Sequence, residues 1–268
     1  MAPVMRLALA QLGASRSKEE ALERIKRLLD SAARMEPDLV VFPEYSMLDP
    51  TGLGAEEVAG VAEPLFGPWH GFFEKAASEY GFHIVFTMYE RREGYRKAFN
   101  TAVLVGPSGT LLVYRKTHLF DAMGYRESDL FEKGGELSEV VEVNGFRVGL
   151  AICFEIRYPE IFRSLALRGA DLVVVPAAWY RGRVKEEQII FLARARSHEN
   201  TLFVAAPVLY GENFTGRSVL TDPYGVVRVD AGIGEKLVVA EIGRKEITEA
   251  RRVFPLLRLR RPELYRLA

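Results

Sequence analysis

The sequence predicts an α/β fold in which two β-sheets pack face to face and helices cover their outer sides. Two observations lead to this fold class. Continuous apolar runs of the kind found in strands buried on both faces occur at residues 38–44 and 171–177, with the nearly identical sequences DLVVFPE and DLVVVPA. Each run belongs to a series of alternating strand-like and helix-like segments, which is typical of layered α/β proteins.

The first half of the chain begins with a strand-like segment, RLALAQ at residues 6–11. Apolar residues at helical spacing then predict a helix over 17–34, and Ser17 and Glu20 have the spacing of a capping box. The elements predicted after the apolar run are a helix at 68–80, a strand at 84–88 and a hairpin at 102–113 with the turn Gly106-Pro107-Ser108-Gly109.

The second half repeats this order. Its predicted elements are a strand at 147–152, a helix at 159–168 ended by Gly169, the apolar run at 171–177, a helix at 184–199, a strand at 202–206 and a hairpin at 218–229. No linker rich in Gly, Ser or Pro separates the halves. We therefore predict one domain over residues 1–268 with internal pseudo-two-fold symmetry.

The repeat is broken at three places, and these breaks indicate where a functional site should be sought. Glu44 aligns with Ala177, and Cys153 aligns with Leu12. Residues 116–145 have the character of an insertion after the first hairpin. We expect catalytic or binding residues at positions where the two otherwise similar halves differ.

Composition excludes several classes of function. Lys and Arg number 36, as do Asp and Glu, so no basic excess favours nucleic acid as a partner. The apolar runs are far shorter than the roughly 20 residues that span a bilayer, and the N-terminus lacks the features of a signal peptide. A single cysteine favours the reducing cytoplasm. Four Asn and two Gln against 72 charged residues resemble the composition of heat-adapted, thermostable proteins.

Cys153, Glu44 and Lys116 are the candidate catalytic residues. Cys153 ends an apolar strand and precedes a helix-forming stretch, a position that opens onto ligand crevices and lowers a thiol pKa. Each residue alone has an ordinary structural explanation: a lone Cys is often a small buried hydrophobe, and Glu44 or Lys116 would be solvated charges at strand ends.

Together the three residues fit a mechanism of nucleophilic catalysis. A carboxylate can activate the thiol, while a Lys ammonium and the backbone N–H of Phe154 can stabilise an oxyanion. No metal or other cofactor is required, and the histidines lack the spacing of zinc ligands. A Cys–His pair with His118 or His198 is the alternative, although neither has a supporting signature.

Three motifs in order resemble those of the nitrilase, or carbon–nitrogen hydrolase, superfamily. They are FPEYS at 42–46, YRKTHLF at 114–120 and CFEIRYPE at 153–160, and the similarity covers essentially the whole chain. The resemblance implies a four-layer α-β-β-α sandwich. It also implies that Glu44 is the general base, Lys116 the stabiliser of the intermediate and Cys153 the nucleophile.

The resemblance further implies a second glutamate, Glu127, that positions substrate or Lys116. The third motif is most similar to the omega-amidase and deaminated-glutathione amidase branch, which suggests Arg157 as an anchor for a substrate carboxylate. An ion pair of Arg157 with Glu155 or Glu160 is the alternative, and it is the one we expect. Tyr45 and Trp179, with Phe120 and Phe154, are candidates for the pocket wall, although aromatic residues that follow strands are more often part of the core.

The expected activity is hydrolysis of a small amide through a cysteine thioester. Hydrolysis of a nitrile or of an N-carbamoyl amine by the same residues stays open, because Phe154 and Glu155 depart from the branch motif. A catalytically silent binding or assembly protein is the alternative from another class. By resemblance we expect a homodimer or larger homo-oligomer, with residues 242–268 as a candidate oligomerisation arm; the alternative is a C-terminal tail that packs on its own subunit.

Overall fold

The computed structural model describes residues 2–265, which form two mixed β-sheets with helices on both sides. The strands of the first sheet are β1 (Val4–Gln11), β2 (Leu39–Val41), β3 (His83–Glu90), β4 (Ala98–Gly106), β5 (Gly109–Arg115), β8 (Phe131–Glu132) and β15 (Lys236–Gly243). Their order in the sheet is β15-β1-β2-β3-β4-β5, with β8 attached to β4.

The second sheet has the order β14-β13-β12-β11-β10-β9. Its strands are β9 (Val140–Val143), β10 (Phe146–Leu150), β11 (Leu172–Val174), β12 (Phe203–Ala206), β13 (Val219–Thr221) and β14 (Val227–Asp230). A separate small hairpin is formed by β6 (Asp121–Ala122) and β7 (Tyr125–Arg126).

The helices form the two outer layers of the sandwich. They are α1 (Lys18–Ala33), α2 (Ala55–Val61), α3 (Pro68–Tyr80), α4 (Pro159–Leu167), α5 (Lys185–Asn200) and α6 (Arg244–Val253). Buried residues of α1 and α3 pack on the outer face of the first sheet, and those of α4 and α5 pack on the second.

Alternation along β1 shows how the sequence builds these layers. Leu7 and Leu9 belong to the core between the two sheets, whereas Ala8 and Ala10 belong to the core beneath the helices. Successive side chains of a strand point to opposite faces, so a strand that is apolar throughout must be covered on both sides. The predicted α-β-β-α sandwich is confirmed.

The two sheets have equivalent topology, as the internal repeat predicts. In each sheet three parallel strands are flanked by antiparallel neighbours: β1, β2 and β3 in the first, and β10, β11 and β12 in the second. Strand β15 pairs antiparallel with β1 just as β9 pairs with β10.

The predicted insertion at 116–145 is wrong at its C-terminal end. Residues Val140–Val143 form β9, a regular member of the second sheet. The counterpart of β9 is β15, which lies near the other end of the chain. A comparison of the halves in chain order therefore cannot align the two strands.

The helix starts follow local signals. The Ser17 side chain accepts a hydrogen bond of 3.2 Å from the Glu20 N–H and caps α1, as predicted. The Glu20 carboxylate accepts from the N–H of Arg16 at 2.8 Å, so the second half of the predicted capping box is displaced by one residue.

The first part of the proposed C-terminal arm packs on its own chain. Residues 242–253 complete β15 and form α6, whose Ile247 and Ala250 are buried against the core. Arg251 and Arg244 of α6 both pair with the buried Asp171. Residues 254–265 are described and are largely exposed, whereas 266–268 lie outside the described residues.

Substitution of two neighbouring glycines, Gly134 and Gly135, can test how closely the chain is packed beside Lys116. The Gly134 N–H donates to the carbonyl of Lys116 at 2.8 Å, and a Cβ built on Gly134 would lie 2.2 Å from the Arg115 carbonyl oxygen. We expect Gly134→Ala to lower the free energy of unfolding by about 1–3 kcal/mol, because backbone must move to admit the methyl group.

The matched control is Gly135→Ala, since a Cβ on Gly135 meets nothing within 4 Å. Denaturant unfolding of both variants provides the measurement. Equal stabilities of the two variants would contradict the close packing described for Gly134.

Candidate active site

The candidate site lies at the carboxyl ends of strands from both sheets. Glu44 follows β2, Lys116 comes directly after β5, and Cys153 follows β10. These three residues line one pocket with an empty volume of about 300 Å³. Strand ends of α/β folds are the usual place for ligand crevices, and here the two sheets contribute to the same one.

The centre of the site is a buried ammonium held between two carboxylates. Lys116 Nζ donates to Glu44 Oε1 at 2.7 Å and to Glu127 Oε1 and Oε2 at 2.9 and 2.7 Å. All three side chains are 1% exposed or less. Burial lowers the pKa of Lys116, but the charges of Glu127 and Glu44 outweigh it and the pKa lies well above its ordinary value. Lys116 is therefore a fixed positive charge.

Glu44 is held at both carboxylate oxygens. Oε1 also accepts from Asn100 Nδ2 at 2.8 Å, and Oε2 accepts from the backbone N–H of Ala178 at 2.9 Å. Burial raises the pKa of Glu44, and the charge of Lys116 opposes that rise without cancelling it. A carboxylate with a raised pKa beside a thiol is suited to accept the thiol proton.

Cys153 lies in a constrained turn after β10, as the first residue of a 3₁₀ segment over Cys153–Arg157. Its φ is +46°, and its N–H donates to the Pro176 carbonyl at 2.9 Å. Burial and then the charge of Glu44 raise the pKa of the thiol well above its ordinary value, against the lowering effect of Lys116. This direction is opposite to the lowered thiol pKa expected for the position after the strand, and it favours the thiol over the thiolate at rest. Strained turns of this kind are concentrated at functional sites.

Glu127 is the second carboxylate that holds the Lys116 ammonium in place. Its Oε1 accepts from Asn100 Nδ2 at 3.1 Å and from the Tyr45 hydroxyl at 3.2 Å, and its Oε2 accepts from the Phe120 N–H at 2.6 Å. The predicted contact of Glu127 with Lys116 is therefore present. Tyr45, predicted as a wall residue, lines the pocket and also orients Glu127.

Glu155 ties the cysteine turn to the lysine segment. One of its oxygens accepts from the Ile152 N–H at 2.7 Å, and the other accepts from Tyr114, from both the N–H and hydroxyl of Thr117, and from the His118 N–H. Burial raises its pKa, but the hydrogen bonds outweigh burial and the net pKa is lowered. Glu155 thus sets the position of Cys153 relative to Lys116.

The remaining pocket wall is aromatic and cationic. Besides the residues above, it is lined by Phe120, Phe154, Arg157, Ala178, Trp179, Tyr180 and Lys185. Within the described residues, the N–H of Phe154 has no backbone acceptor, so this donor is available to a ligand. The predicted wall residues Phe120, Phe154 and Trp179 are all present.

The expected ion pair of Arg157 with Glu155 or Glu160 is wrong. The Glu155 oxygens are occupied by the donors described above, and the guanidinium of Arg157 lies 4.6 Å from the Trp179 ring centroid and donates to Gln188 Oε1 at 3.1 Å. Arg157 therefore lines the pocket. Burial lowers its pKa.

The alternative Cys–His pair finds no support in the described residues. His118 packs on the Tyr158 ring and pairs with Glu155, and His198 packs on Phe254. Neither lines the pocket of Cys153.

Three important residues were not found from the sequence. Asn100 is a polar interruption in the apolar run of β4, which was an available signal, and it contacts both carboxylates. Glu155 was noted as a partner of Arg157 and as a departure from the branch motif, but not as a residue that positions the site. Lys185 was indistinguishable from an ordinary charged residue at a helix start.

Two general features complete the description of residues 2–265. No cluster of three or more His, Cys, Asp or Glu side chains is arranged to hold a metal ion. None of the helices in this part of the chain combines the length and the apolar character needed to cross a membrane.

A four-layer sandwich with a buried Glu–Lys–Cys constellation at its strand ends is the arrangement of a hydrolase with a cysteine nucleophile. The model of the carbon–nitrogen hydrolase family matches residues 6–252, and the chain belongs to this family. The resemblance stated from the motifs is thereby confirmed.

Known relatives agree with this assignment. The chain is 36% identical to a hydrolase of Mycobacterium tuberculosis, with 95% of each chain covered. It is 30% identical to the deaminated glutathione amidase of Escherichia coli O157:H7, covering 96% of this chain and 97% of the relative. It is 32% identical to an omega-amidase of Bos taurus, covering 97% and 96%.

Solved structures share the fold of this chain. A carbon–nitrogen hydrolase from Helicobacter pylori shares the fold with a TM-score of 0.90 at 23% identity, covering 98% of this chain and 97% of that one. An amidase from Nesterenkonia, with acrylamide added at its active-site cysteine, has a TM-score of 0.80 at 25% identity, covering 98% of each chain.

The resting state of Cys153 can be measured directly because the chain has one cysteine. We expect the ultraviolet absorbance of the thiolate, taken as the difference from Cys153→Ala, to be absent at pH 7. It should appear only above about pH 8.5, the ordinary cysteine pKa, since burial and Glu44 disfavour the anion.

Glu44→Gln provides the comparison variant. Removal of its negative charge lowers the thiol pKa, so the thiolate signal should rise at lower pH than in the unmodified chain. A thiolate already present at pH 7 in the unmodified chain would contradict the proton assignment.

Proposed function

We propose that this protein is an amidase that hydrolyses a small amide through a thioester on Cys153. The observation that carries the proposal is the buried arrangement in which Lys116 bridges Glu44 and Glu127 beside the single thiol. The names of the relatives support an amide rather than a nitrile as the substrate. An activated thiol, a base and a fixed positive charge are the elements that acyl transfer requires.

In the first half of the reaction, Glu44 takes the proton from Cys153 as Sγ attacks the amide carbonyl carbon. The oxyanion that forms is stabilised by Lys116 Nζ and the N–H of Phe154. The carbon–nitrogen bond then breaks, and the proton on Glu44 passes to the leaving nitrogen, so that ammonia departs and a thioester remains.

In the second half, water replaces ammonia beside Glu44. The carboxylate takes a proton from the water as its oxygen attacks the thioester carbon, and the same oxyanion donors act again. The carbon–sulfur bond breaks, the carboxylic acid leaves, and the proton returns to Sγ. One water is consumed and one ammonia and one carboxylic acid are released per turnover.

Four further residues have proposed roles around this chemistry. Glu127 holds Lys116 in place, and Tyr45 in turn holds Glu127 through its hydroxyl. Trp179 and Arg157, which lie against one another in the pocket wall, contact the part of the substrate beyond the amide.

Ammonia release across a panel of short amides, nitriles and N-carbamoyl amines tests the proposal. We expect release from amides, and a loss of about a thousandfold or more in kcat/KM for Cys153→Ala. Intact mass should show an acyl adduct on the unmodified chain that is absent from the variant. Neither ammonia nor adduct from any compound would contradict the proposed function and favour a silent member of the fold.

We also propose that the chain forms a homodimer or larger homo-oligomer. Support comes from exposed apolar side chains in α5 and in the C-terminal segment: Phe191 is 66% exposed, and Val253, Phe254, Leu259 and Leu264 are exposed as well. Burial of such side chains in an interface would remove apolar surface from water.

Light scattering of the purified chain and of Phe191→Asp tests this assembly. We expect the unmodified chain to have at least twice the mass of the monomer and the variant to dissociate, because a buried charge would be unpaired in the interface. The unmodified chain should retain its mass on dilution to micromolar concentration. A monomeric unmodified chain would contradict the proposal.

Composition supports three broader proposals. We propose that residues 1–268 form one domain. We also propose that the protein resides in the reducing cytoplasm, which suits its single thiol, and that it is heat-tolerant. Charge networks such as that joining Arg24 with Glu20 and Glu235 support the last of these.

A further inference from the structure

Asn100 is a buried amide in β4, a strand whose nine residues are all buried. It is 1% exposed, and an amide removed from water to this extent is costly unless its polar atoms find partners. Its Nδ2 donates to Glu44 Oε1 at 2.8 Å and to Glu127 Oε1 at 3.1 Å. Both partners of this nitrogen are therefore carboxylates of the candidate site.

Asn100 shares this bridging position with Lys116. Within residues 2–265, these are the side chains that donate hydrogen bonds to both Glu44 and Glu127. The ammonium supplies one positive charge for two carboxylates, so one negative charge of the buried group is left without a counter-ion. Asn100 adds two donors without adding charge, because one amide nitrogen carries two hydrogens and gives one to each carboxylate.

The carbonyl oxygen of Asn100 indicates that the site uses the N–H groups rather than the amide as a whole. Oδ1 is buried and has no hydrogen-bond partner among the described residues. A buried acceptor without a partner is destabilising, so an apolar side chain of similar length would be better if packing alone mattered. The reverse orientation of the amide would place Oδ1 against two anions, so the carboxylates fix which atom faces them.

The electrostatics of Glu44 give these two N–H groups a function. Burial raises the pKa of Glu44, the charge of Lys116 opposes the rise, and the charge of Glu127 adds to it. A hydrogen bond donated to a carboxylate favours its charged form. Because a Glu44 that is protonated at rest is unable to take the proton of Cys153, a donor that keeps it ionised maintains the base.

We propose that Asn100 is a positioning residue for the reaction, which bridges Glu44 and Glu127 and holds Glu44 as an oriented carboxylate ready to accept the Cys153 proton. This inference rests on the proposed amidase function and adds a residue to it. Asn100 does not line the pocket that contains Cys153. It therefore acts through the two carboxylates rather than by contact with the substrate.

The pH dependence of amide hydrolysis tests this role in Asn100→Leu, which removes both donors. The acid limb of kcat/KM reports the base of the free enzyme. We expect this limb to move to higher pH by about one unit or more, the effect of losing a charge-assisted hydrogen bond to Glu44. At a pH below the limb, kcat/KM then falls about tenfold for each unit of the shift, and it recovers as the pH rises. KM at high pH should change by less than about threefold.

Other titratable groups face Glu44, and every variant of Asn100 keeps them. Glu44 is faced directly by Lys116, Glu127 and Cys153, and the same pocket is lined by Tyr45, Tyr180, Arg157 and Lys185. Because these groups are common to all the chains compared, a difference between two acid limbs reports the contact of Asn100.

Two further variants separate this role from a structural one. Thr101→Val removes a hydrogen bond of 2.8 Å to another buried carboxylate, that of Glu90, from the next residue of the same strand, and should leave the limb in place. Asn100→Ser keeps one donor and should move the limb by about half a unit, which carries the test if Asn100→Leu does not fold. A rate lowered equally at every pH in the Asn100 variants, or an equal shift in Thr101→Val, would overturn the inference.

Alkylation of Cys153 by iodoacetamide separates failure of this inference from failure of the proposed function. In this reaction a bond forms between Sγ and carbon, the carbon–iodine bond breaks, iodide leaves, and Glu44 accepts the thiol proton. The chain has one cysteine, so the rate reports this thiol without any amide turnover. The acid limb of the alkylation rate should move in Asn100→Leu as the limb of kcat/KM does. In Glu44→Gln only the rise due to the thiolate itself should be left.

The two measurements together assign each outcome. If no amide is hydrolysed but the limb of alkylation moves, the role of Asn100 stands and the amidase proposal falls. If amides are hydrolysed and neither limb moves, the role of Asn100 falls and the amidase proposal stands.

Discussion

The Lys116 ammonium, buried between Glu44 and Glu127, is the interaction on which the rest of the site depends. Removing three charges from water costs several kcal/mol per ion unless each is closely paired and hydrogen-bonded. The structure meets this requirement with Asn100, the Ala178 N–H and the Phe120 N–H, which satisfy the outer carboxylate oxygens. The network is thus rigid before any substrate enters.

The site exists because two equivalent sheets present different residues at equivalent positions. Glu44 belongs to a strand end of the first sheet, and its counterpart in the second sheet is Ala177. Cys153 belongs to the second sheet, and its counterpart in the first is Leu12. The symmetric frame brings the strand ends together, while the departures from symmetry place the Glu44 carboxylate and the Cys153 thiol there. Glu155 then couples the two contributions by binding the backbone on both sides.

The fold and the three central residues could be predicted because each leaves a local trace. Strands that are covered on both faces appear in the sequence as continuous runs of apolar residues. The breaks in the internal repeat, together with the order of the motifs, indicated Glu44, Lys116 and Cys153. Residues whose role depends on spatial neighbours left no such trace. The partner of Arg157 was predicted wrongly, because an acid two or three residues away in sequence was assumed to be its neighbour in space, whereas Trp179 and Gln188 are.

The pairing of β1 with β15 has a consequence for how the protein is made. Val4 pairs with Gly243, so β1 leaves the ribosome long before the strand that becomes its outer neighbour. Until then one edge of the first sheet keeps unpaired backbone groups, which invite pairing with other chains. The second sheet has no such delay, since β9 precedes β10 by a short turn. During synthesis the two halves of a symmetric molecule are therefore unequal, and the N-terminal sheet is the one exposed to misassembly.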